Sequence, residues 1–205
     1  MRSINKAKAI LWTRSGLSAS DAGFTLIEMM AVITVFSIIA AMAVPLLKDS
    51  ADAMQLGIQA RHVERELQEA RLRAVKANHP VRVRFNCPVN GQYRSVELIG
   101  TAAVPTAADS ATNRCELASY PYPAPDNNLI TRPNNDGPLQ RLESYTTFTT
   151  SQTIEFWPDG TVHVASGTTF PWPPIAGDPG ITLTLTRKGQ TKNVRVNAFG
   201  KTQIQ

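Results

Sequence analysis

One carboxylate lies inside an otherwise apolar run of membrane length. Residues 24–47 read FTLIEMMAVITVFSIIAAMAVPLL, and Glu28 is the only charged residue among them. An ionisable group in such a segment is costly, so it indicates a functional site and requires a partner. A free α-amino group would suit, but 23 residues precede Phe24. A cut between Gly23 and Phe24 would create that amine, and Glu28 could then pair with the new N-terminus of a neighbouring subunit in a helical stack.

The apolar run is long enough to cross a bilayer. At about 1.5 Å per residue its helix would cover roughly 36 Å, against a hydrocarbon core of about 30 Å. The preceding segment carries four basic residues, Arg2, Lys6, Lys8 and Arg14, and one acid, Asp21. Positive charge on that flank predicts a cytoplasmic N-terminus and a translocated C-terminal part.

Most of the chain's basic surplus belongs to that N-terminal flank. The chain has a formal net charge of +5, but residues 24–205 hold 17 basic and 15 acidic side chains, a net +2. The charge therefore serves topology and does not by itself indicate a nucleic-acid partner.

A secretory signal peptide is the alternative interpretation of residues 1–43. Residues 29–39 would form its apolar core and Ala41-Met42-Ala43 an A-x-A cleavage site. A glutamate at the start of such a core is unfavourable. The two interpretations predict different mature N-termini, Phe24 and Val44.

Two cysteines follow the apolar run, on the side predicted to be oxidising. A bridge between Cys87 and Cys115 would close a loop of about 28 residues and contribute about 3–4 kcal/mol by the chain-entropy model. Two buried free thiols are the alternative. No histidine stands at ligand spacing from either cysteine, so no metal site is predicted.

The remaining candidates for catalysis are few. His62, His79 and His163 are interpreted as ordinary surface residues, and no nucleophile or phosphate loop is legible. The sequence therefore predicts no enzyme, no cofactor and no metal.

The elements that position these groups follow from periodicity. Residues 48–79 place Leu56, Val63, Leu67, Ala70 and Ala74 on one helical face. Asn78-His79-Pro80 predicts the end of that helix. Strands are predicted at 81–85, 93–99, 153–157, 161–165, 181–186 and 192–197, with a turn at Asn90-Gly91. Residues 100–150 are rich in proline and weak in periodicity, and we name them the excursion; a second proline-rich loop covers 167–180 and contains Trp172.

The order of a long helix followed by antiparallel strands predicts an α+β fold. Four segments result: a leader at 1–23, a membrane and assembly helix at 24–47, an amphipathic helix at 48–79 and a β-rich head at 80–205.

The string Gly23-Phe24-Thr25-Leu26-Ile27-Glu28-Met29 resembles the prepilin signal of type IV pilins and type II secretion pseudopilins. The resemblance implies cleavage by prepilin peptidase after Gly23, N-methylation of Phe24 and an assembly role for Glu28. Pro45 matches the position of a helix kink, as a missing N–H in a helix interior would produce. The partners implied are other pseudopilins or minor pilins, the peptidase, the inner-membrane assembly platform and the lipid bilayer.

Motifs in the head narrow the resemblance. Segments 154–160 (IEFWPDG), 181–185 (ITLTL) and 194–197 (VRVN) with Gly200 resemble the GspH/FimT family of H-type minor pseudopilins and FimT/FimU-type minor pilins. This implies a single-pass inner-membrane protein with a periplasmic head that joins a pseudopilus. The excursion and the Trp172-containing loop are the candidates for specific partner contacts.

DNA binding is the alternative function, because some FimT-type proteins act as DNA receptors. That branch would call for Gly-Arg-x-Arg in the tail, whereas this chain has Gly200-Lys201-Thr202-Gln203. One lysine in place of two arginines weakens a phosphate-binding fork. The candidate DNA contacts are the basic residues near the last hairpin: Arg187, Lys188, Lys192, Arg195 and Lys201.

Overall fold

The computed structural model describes residues 23–123, 136–177 and 180–205. They fall into two compact units, one ending at Pro45 and one beginning at Leu46. The predicted leader, apart from Gly23, and part of the excursion lie outside the described residues.

One helix, α1, runs from Leu26 to Ala77. It ends in a Schellman arrangement, because the N–H of His79 donates to the carbonyl of Ala74 and the N–H of Asn78 to that of Val75. Asn78 adopts a φ of 50°, the left-handed conformation that this cap requires, and Pro80 then prevents continuation. The predicted helix end is confirmed.

The described part of the unit that ends at Pro45 is an apolar helix, and no other part of the described chain packs against it. All residues from 23 to 42 are exposed. By length and composition, α1 is the one helix among the described residues that could cross a membrane. Such a surface is stable only in lipid or against other helices.

The rest of α1 packs on the head through the predicted stripe. Leu56, Val63, Leu67, Ala70 and Ala74 are buried together with Ala60, which confirms that face. They join one core cluster with residues from the strands, including Val81, Phe156, Leu183 and Val196.

The head contains two antiparallel sheets. Sheet 1 has the order β3-β2-β1-β5-β6, and sheet 2 the order β4-β7-β8-β9. The strands of sheet 1 are β1 (Val81–Phe85), β2 (Gln92–Glu97), β3 (Gln140–Arg141), β5 (Ile154–Phe156) and β6 (Val162–Val164); those of sheet 2 are β4 (Thr146–Thr150), β7 (Ile181–Arg187), β8 (Gln190–Val196) and β9 (Thr202–Ile204). The α+β prediction is confirmed.

The last hairpin shows how turn chemistry sets register. Lys188 and Gly189 both have positive φ, 45° and 85°, as a two-residue turn of type I′ requires. Strands β7 and β8 therefore pair from Arg187 with Gln190 to Ile181 with Val196.

The predicted turn at Asn90-Gly91 is confirmed, because the N–H of Gln92 donates to the carbonyl of Val89 across it. The connection is longer than this turn, since β1 ends at Phe85 and β2 begins at Gln92. One expectation about the head was wrong in detail. The excursion holds regular structure: a helix, α2 (Ala107–Ser110), a 3-10 turn at Thr112–Cys115, and strands β3 and β4. Strand β4 reads TTFTT, and its threonines hide the apolar alternation that marks a strand.

Candidate functional site

The start of α1 is a capping box that includes Glu28. Oε2 of Glu28 accepts bonds from the N–H of Thr25 at 2.9 Å and from its hydroxyl at 3.0 Å. In return the N–H of Glu28 donates to Oγ1 of Thr25 at 3.3 Å. This reciprocal pattern satisfies N–H groups that a helix start otherwise leaves open. The role of Thr25 was not predicted, although Thr-x-x-Glu before an apolar run is the sequence signature of a capping box.

The neighbours of this capping box are open. Phe24 keeps 84% of its surface exposed. A Cβ added at Gly23 would have no heavy atom within 4 Å. The peptide bond between these two residues is therefore accessible on the described part of the chain.

Pro45 lies inside α1, which continues through it without a break. A proline in a helix interior removes one backbone hydrogen bond. The kink at Pro45 stays a prediction.

A charged contact ties the last hairpin to the helix. Nε of Arg187 lies 2.9 Å from Oδ1 of Asp52, and Nζ of Lys188 lies 3.0 Å from its Oδ2. A hydrogen bond from Lys188, and a smaller effect of the one from Arg187, hold the pKa of Asp52 below its ordinary value. The amide of Gln190 also donates to the backbone carbonyl of Asp49. We name this contact the hairpin clamp: Asp49, Asp52, Arg187, Lys188 and Gln190.

The five candidate DNA contacts do not form one cluster, because two of them belong to the hairpin clamp. Arg187 and Lys188 engage Asp52, so a phosphate would compete with a carboxylate for them. Arg195 and Lys201 instead line a groove of about 360 Å³ with Phe199, whose side chain is 73% exposed. Lys192 lies on β8 opposite Leu185.

The structure brings the two cysteines together. Cys87 and Cys115 are joined by a disulfide, with Cα atoms 5.5 Å apart. It connects the end of β1 to the 3-10 turn of the excursion.

A second attachment of the excursion is the carboxylate of Asp109. It accepts bonds from the N–H groups of Ile99, Gly100 and Thr106 and from the hydroxyl of Thr106. Burial by itself would raise the pKa of Asp109, but these four bonds outweigh it and lower the pKa below its ordinary value.

The outer face of sheet 1 is a buried polar layer. Nε of Arg82 lies 2.6 Å from Oε2 of Glu155, and Nη2 of Arg114 lies 3.0 Å from Oδ1 of Asp136. Nε of Arg94 donates to the carbonyl of Gly137 at 2.7 Å. Burial raises the pKa of Asp136 even though Arg114 opposes this shift. Alternation in VRVRF places Arg82 on the outer face, but the sequence gives no sign that other segments cover that face.

Two of the histidines have specific partners. Nδ1 of His62 is 2.9 Å from the hydroxyl of Tyr93. His163 is only 6% exposed and stacks on Trp157 with ring centroids 3.8 Å apart. Its interpretation as a surface residue was wrong, because the loop that contains Trp172 covers this end of sheet 1.

The side chain of Trp172 points into the head. Its side chain is 8% exposed, and the guanidinium of Arg82 lies over its ring at 4.1 Å. Trp172 is thus part of the head's interior, and a partner contact by the exposed residues of its loop stays a prediction.

No group of three or more histidine, cysteine, aspartate or glutamate side chains that could hold a metal occurs in residues 23–123, 136–177 and 180–205.

Comparison with known proteins gives one match. The family model described as the prokaryotic N-terminal methylation motif matches residues 18–44. No curated protein and no solved structure matches the chain. The matched segment holds Gly23, Phe24 and the capping box, and the apolar helix that follows fits anchoring in the inner membrane. The motif supports a type IV pilin or pseudopilin: a structural protein rather than an enzyme, processed by prepilin peptidase and assembled with other pilins.

Proposed function

We propose that the chain is an H-type minor pseudopilin of a type II secretion pseudopilus. It is cut after Gly23, methylated on Phe24 and held by residues 24–47 with its head in the periplasm. The observation that carries this proposal is the match of residues 18–44 to the N-terminal methylation motif, with Glu28 at the start of an exposed apolar helix.

Glu28 guides assembly in this proposal. Before assembly its Oε2 is satisfied by Thr25 of the same chain. After cleavage, the ammonium of Phe24 in a neighbouring subunit offers a full charge, and a charge-assisted bond is stronger than one from a neutral hydroxyl. In the low dielectric of lipid that difference favours docking over the free subunit.

The assignment to type II secretion and to the H-type rests on the resemblance of the head motifs. The excursion has exposed apolar side chains that sibling subunits could bind: Val104, Leu117 and Tyr122. The function is architectural: the helix enters the filament and the head selects neighbours.

The mature N-terminus tests the first part. Mass spectrometry of the chain from a host with prepilin peptidase should give N-methylated Phe24, whereas a signal peptide would give Val44. Gly23→Leu is a suitable variant because the site has open space around it, so loss of cleavage would report recognition rather than misfolding. Cleavage of this variant at the parent rate would contradict the assignment of Gly23.

The choice of machine needs a second experiment. The full chain should capture G-, I-, J- or K-type pseudopilins in a pull-down and leave pilus minor pilins behind. The reverse selectivity would assign it to a type IV pilus. A genomic neighbourhood with a secretion ATPase and an outer-membrane secretin would support type II secretion.

DNA binding is a second candidate, and one observation favours it. Exposed Phe199 lies in the same groove as Arg195 and Lys201, and an aromatic ring among cations suits stacked bases and phosphates. Purified chain should then shift DNA at low salt, with less shift for Phe199→Ala. No shift at low salt would eliminate this function.

A further inference from the structure

Tyr145 presents an exposed aromatic ring from a strained backbone. Its φ is 68°, a left-handed conformation that glycine and asparagine adopt far more easily than tyrosine. The side chain is 74% exposed, so the fold buries little apolar surface in return for this conformation. Strained residues cluster at functional sites, where the surrounding structure holds them in place. Tyr145 is therefore a candidate for a contact outside the head.

Contacts within the head hold Tyr145 beside the hairpin clamp. The carbonyl oxygen of the preceding residue, Ser144, accepts a bond from Nη1 of Arg187 at 2.6 Å. Nζ of Lys188 lies 5.4 Å from the centre of the Tyr145 ring, within the range of a cation–π contact. Both cations also bind Asp52 of α1. The ring is thus held close to the level of Asp52 along the helix.

Asp52 lies near the end of the lipid-seeking part of α1. Leu46 and Leu47 are 71% and 68% exposed, and Lys48 begins the charged part of the helix. At about 1.5 Å per residue, Asp52 is about 8 Å beyond Leu47 along the axis. The headgroup layer on each side of a bilayer is about 5–8 Å thick. With Leu47 at the boundary of the hydrocarbon core, the hairpin clamp and Tyr145 therefore meet the headgroups.

The chemistry of this surface suits phospholipid headgroups. Tyrosine is enriched at membrane interfaces, because its ring enters the apolar zone while its hydroxyl stays among polar groups. Asp52 meets two cations, so that contact carries a net positive charge, and the exposed pair Lys48 and Asp49 beside it cancels. Nζ of Lys188 donates to Asp52 at 3.2 and 3.0 Å, which leaves the third of its three N–H groups for a phosphate oxygen.

We propose that Tyr145 and Lys188 form a lipid contact that seats the head on the phospholipid headgroups before the subunit enters a filament. The Tyr145 ring lies in the interface, and the ammonium of Lys188 donates to a lipid phosphate. Tyr145 also lines a groove of about 690 Å³ with Val89, which is 55% exposed, so a second apolar side chain is available beside it. The proposal rests on the anchoring of α1 in the membrane and not on which filament the chain joins.

Fluorescence quenching of the full chain in nanodiscs tests this contact. Each disc holds one chain in phosphatidylcholine and phosphatidylglycerol, with a nitroxide quencher on the headgroups. Tyr145→Trp keeps an aromatic ring on the same backbone. The parent and every variant carry Trp12→Phe, so that the N-terminal flank adds no signal, and the parent's fluorescence is subtracted.

Phe199→Trp is the matched control, because Phe199 is 73% exposed but lies far from the clamp. A Cβ on its neighbour Gly200 would be 2.7 Å from Cδ of Arg71. Arg71 lies about 28 Å further along α1 than Asp52. Quenching should therefore be severalfold stronger for Tyr145→Trp than for Phe199→Trp.

Equal quenching of these two variants, or none at residue 145, would overturn the proposal. Because each disc holds a single chain, absence of quenching at residue 145 would leave a sibling subunit as the occupant of this surface. Phe36→Trp, within the apolar run, reports the anchor through a nitroxide on the acyl chains. Failure at residue 36 would reject the anchor itself, whereas quenching at 36 without quenching at 145 rejects the lipid contact alone.

Tyr145→Gly tests the ring without a risk of misfolding, because glycine adopts a positive φ without strain. The melting temperature of this variant in detergent should equal or exceed that of the parent. With Val89→Trp as the reporter, headgroup quenching should fall severalfold when Tyr145→Gly is added and stay the same when Phe199→Ala is added. Undiminished quenching at residue 89 in the presence of Tyr145→Gly would contradict the role of the ring.

Discussion

At the scale of single residues, one side chain has two roles: Glu28 is both the acid of the capping box and the only charged residue in the apolar run. Glu28 satisfies the start of α1 through Thr25, and we propose that it later receives a neighbour's ammonium. The two roles are separable, because capping needs only an acceptor whereas pairing with an ammonium needs a charge.

Glu28→Gln should keep an acceptor for Thr25 and lose the charge, and Glu28→Leu should lose both. We expect normal cleavage and membrane insertion for both variants but strongly impaired incorporation into the filament, measured by cross-linking to sibling subunits. If Glu28→Leu incorporated as well as the parent, the assembly role would be wrong while the anchor remained. If only the glutamine variant assembled normally, capping and not charge would be the requirement.

Asp109 illustrates a residue whose charge stabilises a fold. Its four hydrogen bonds favour the ionised form, so its pKa is lower in the folded state than its ordinary value. Its contribution is present above that ordinary value and is lost as pH falls through the folded pKa.

Asp109→Asn should therefore lower the free energy of unfolding by about 1–3 kcal/mol near neutral pH, and less in acid. Denaturant unfolding followed by tryptophan fluorescence measures the difference at each pH. Glu143→Gln, at an exposed residue, is the matched control. A deficit that does not shrink in acid would show that ionisation of Asp109 is not the source.

At the scale of elements, the excursion is attached to sheet 1 at several points. The disulfide binds it to the end of β1, Asp109 fixes its entry, and Arg82 and Arg84 donate to the backbone carbonyls of Asp109 and Ala111. A segment with little periodicity can be this ordered because its contacts are long-range and polar.

Removing the bridge should loosen this element first. The double variant Cys87→Ser with Cys115→Ser should lower the free energy of unfolding by about 3–4 kcal/mol. Hydrogen exchange in α2 and the 3-10 turn should rise more than in β7 and β8. Uniform change across both sheets would contradict the view that the bridge acts mainly on the excursion.

Prediction from the sequence succeeded where the structure depends on residues close together in the chain. Leu56 to Ala74 lie at helical spacing, Asn78 and Pro80 end the helix, and the alternation in β7 and β8 specifies a strand face. It failed where burial depends on distant segments. Nothing near Arg82 or His163 in the chain signals that the excursion or the proline-rich loop with Trp172 lies over them. Thr25 is the one local signal that was present and missed.

At the scale of the whole molecule, the described part of the excursion has an inner and an outer side. Its inner side carries Arg114 and covers Arg94 of β2, and both side chains are fully buried. Deleting 104–136 would remove Arg114 and Cys115, expose the charge of Arg94 and destabilise the head, so loss of partner binding in that deletion would not identify a contact surface. Substitutions on the outer side are the cleaner test.

Val104 and Tyr122 are 73% and 50% exposed. Val104→Asp and Tyr122→Asp should weaken the pull-down of sibling pseudopilins severalfold and change the melting temperature by little, since exposed substitutions are usually within about 0.5 kcal/mol. Lys192→Asp, on β8, is the control for a general charge effect. Full retention of binding in both variants would remove the excursion from the partner surface.

The hairpin clamp has a mechanical consequence. A subunit drawn out of a bilayer by its N-terminal segment carries tension along the chain, and that tension reaches the head first at Asp49 and Asp52. There the carboxylate of Asp52 pairs with Arg187 and Lys188, and the carbonyl of Asp49 accepts a hydrogen bond from Gln190. The apolar stripe that packs on the head begins only at Leu56. On the proposed function, the contacts of the β7–β8 turn with Asp49 and Asp52 are therefore the first in the head to bear load when a subunit is extracted.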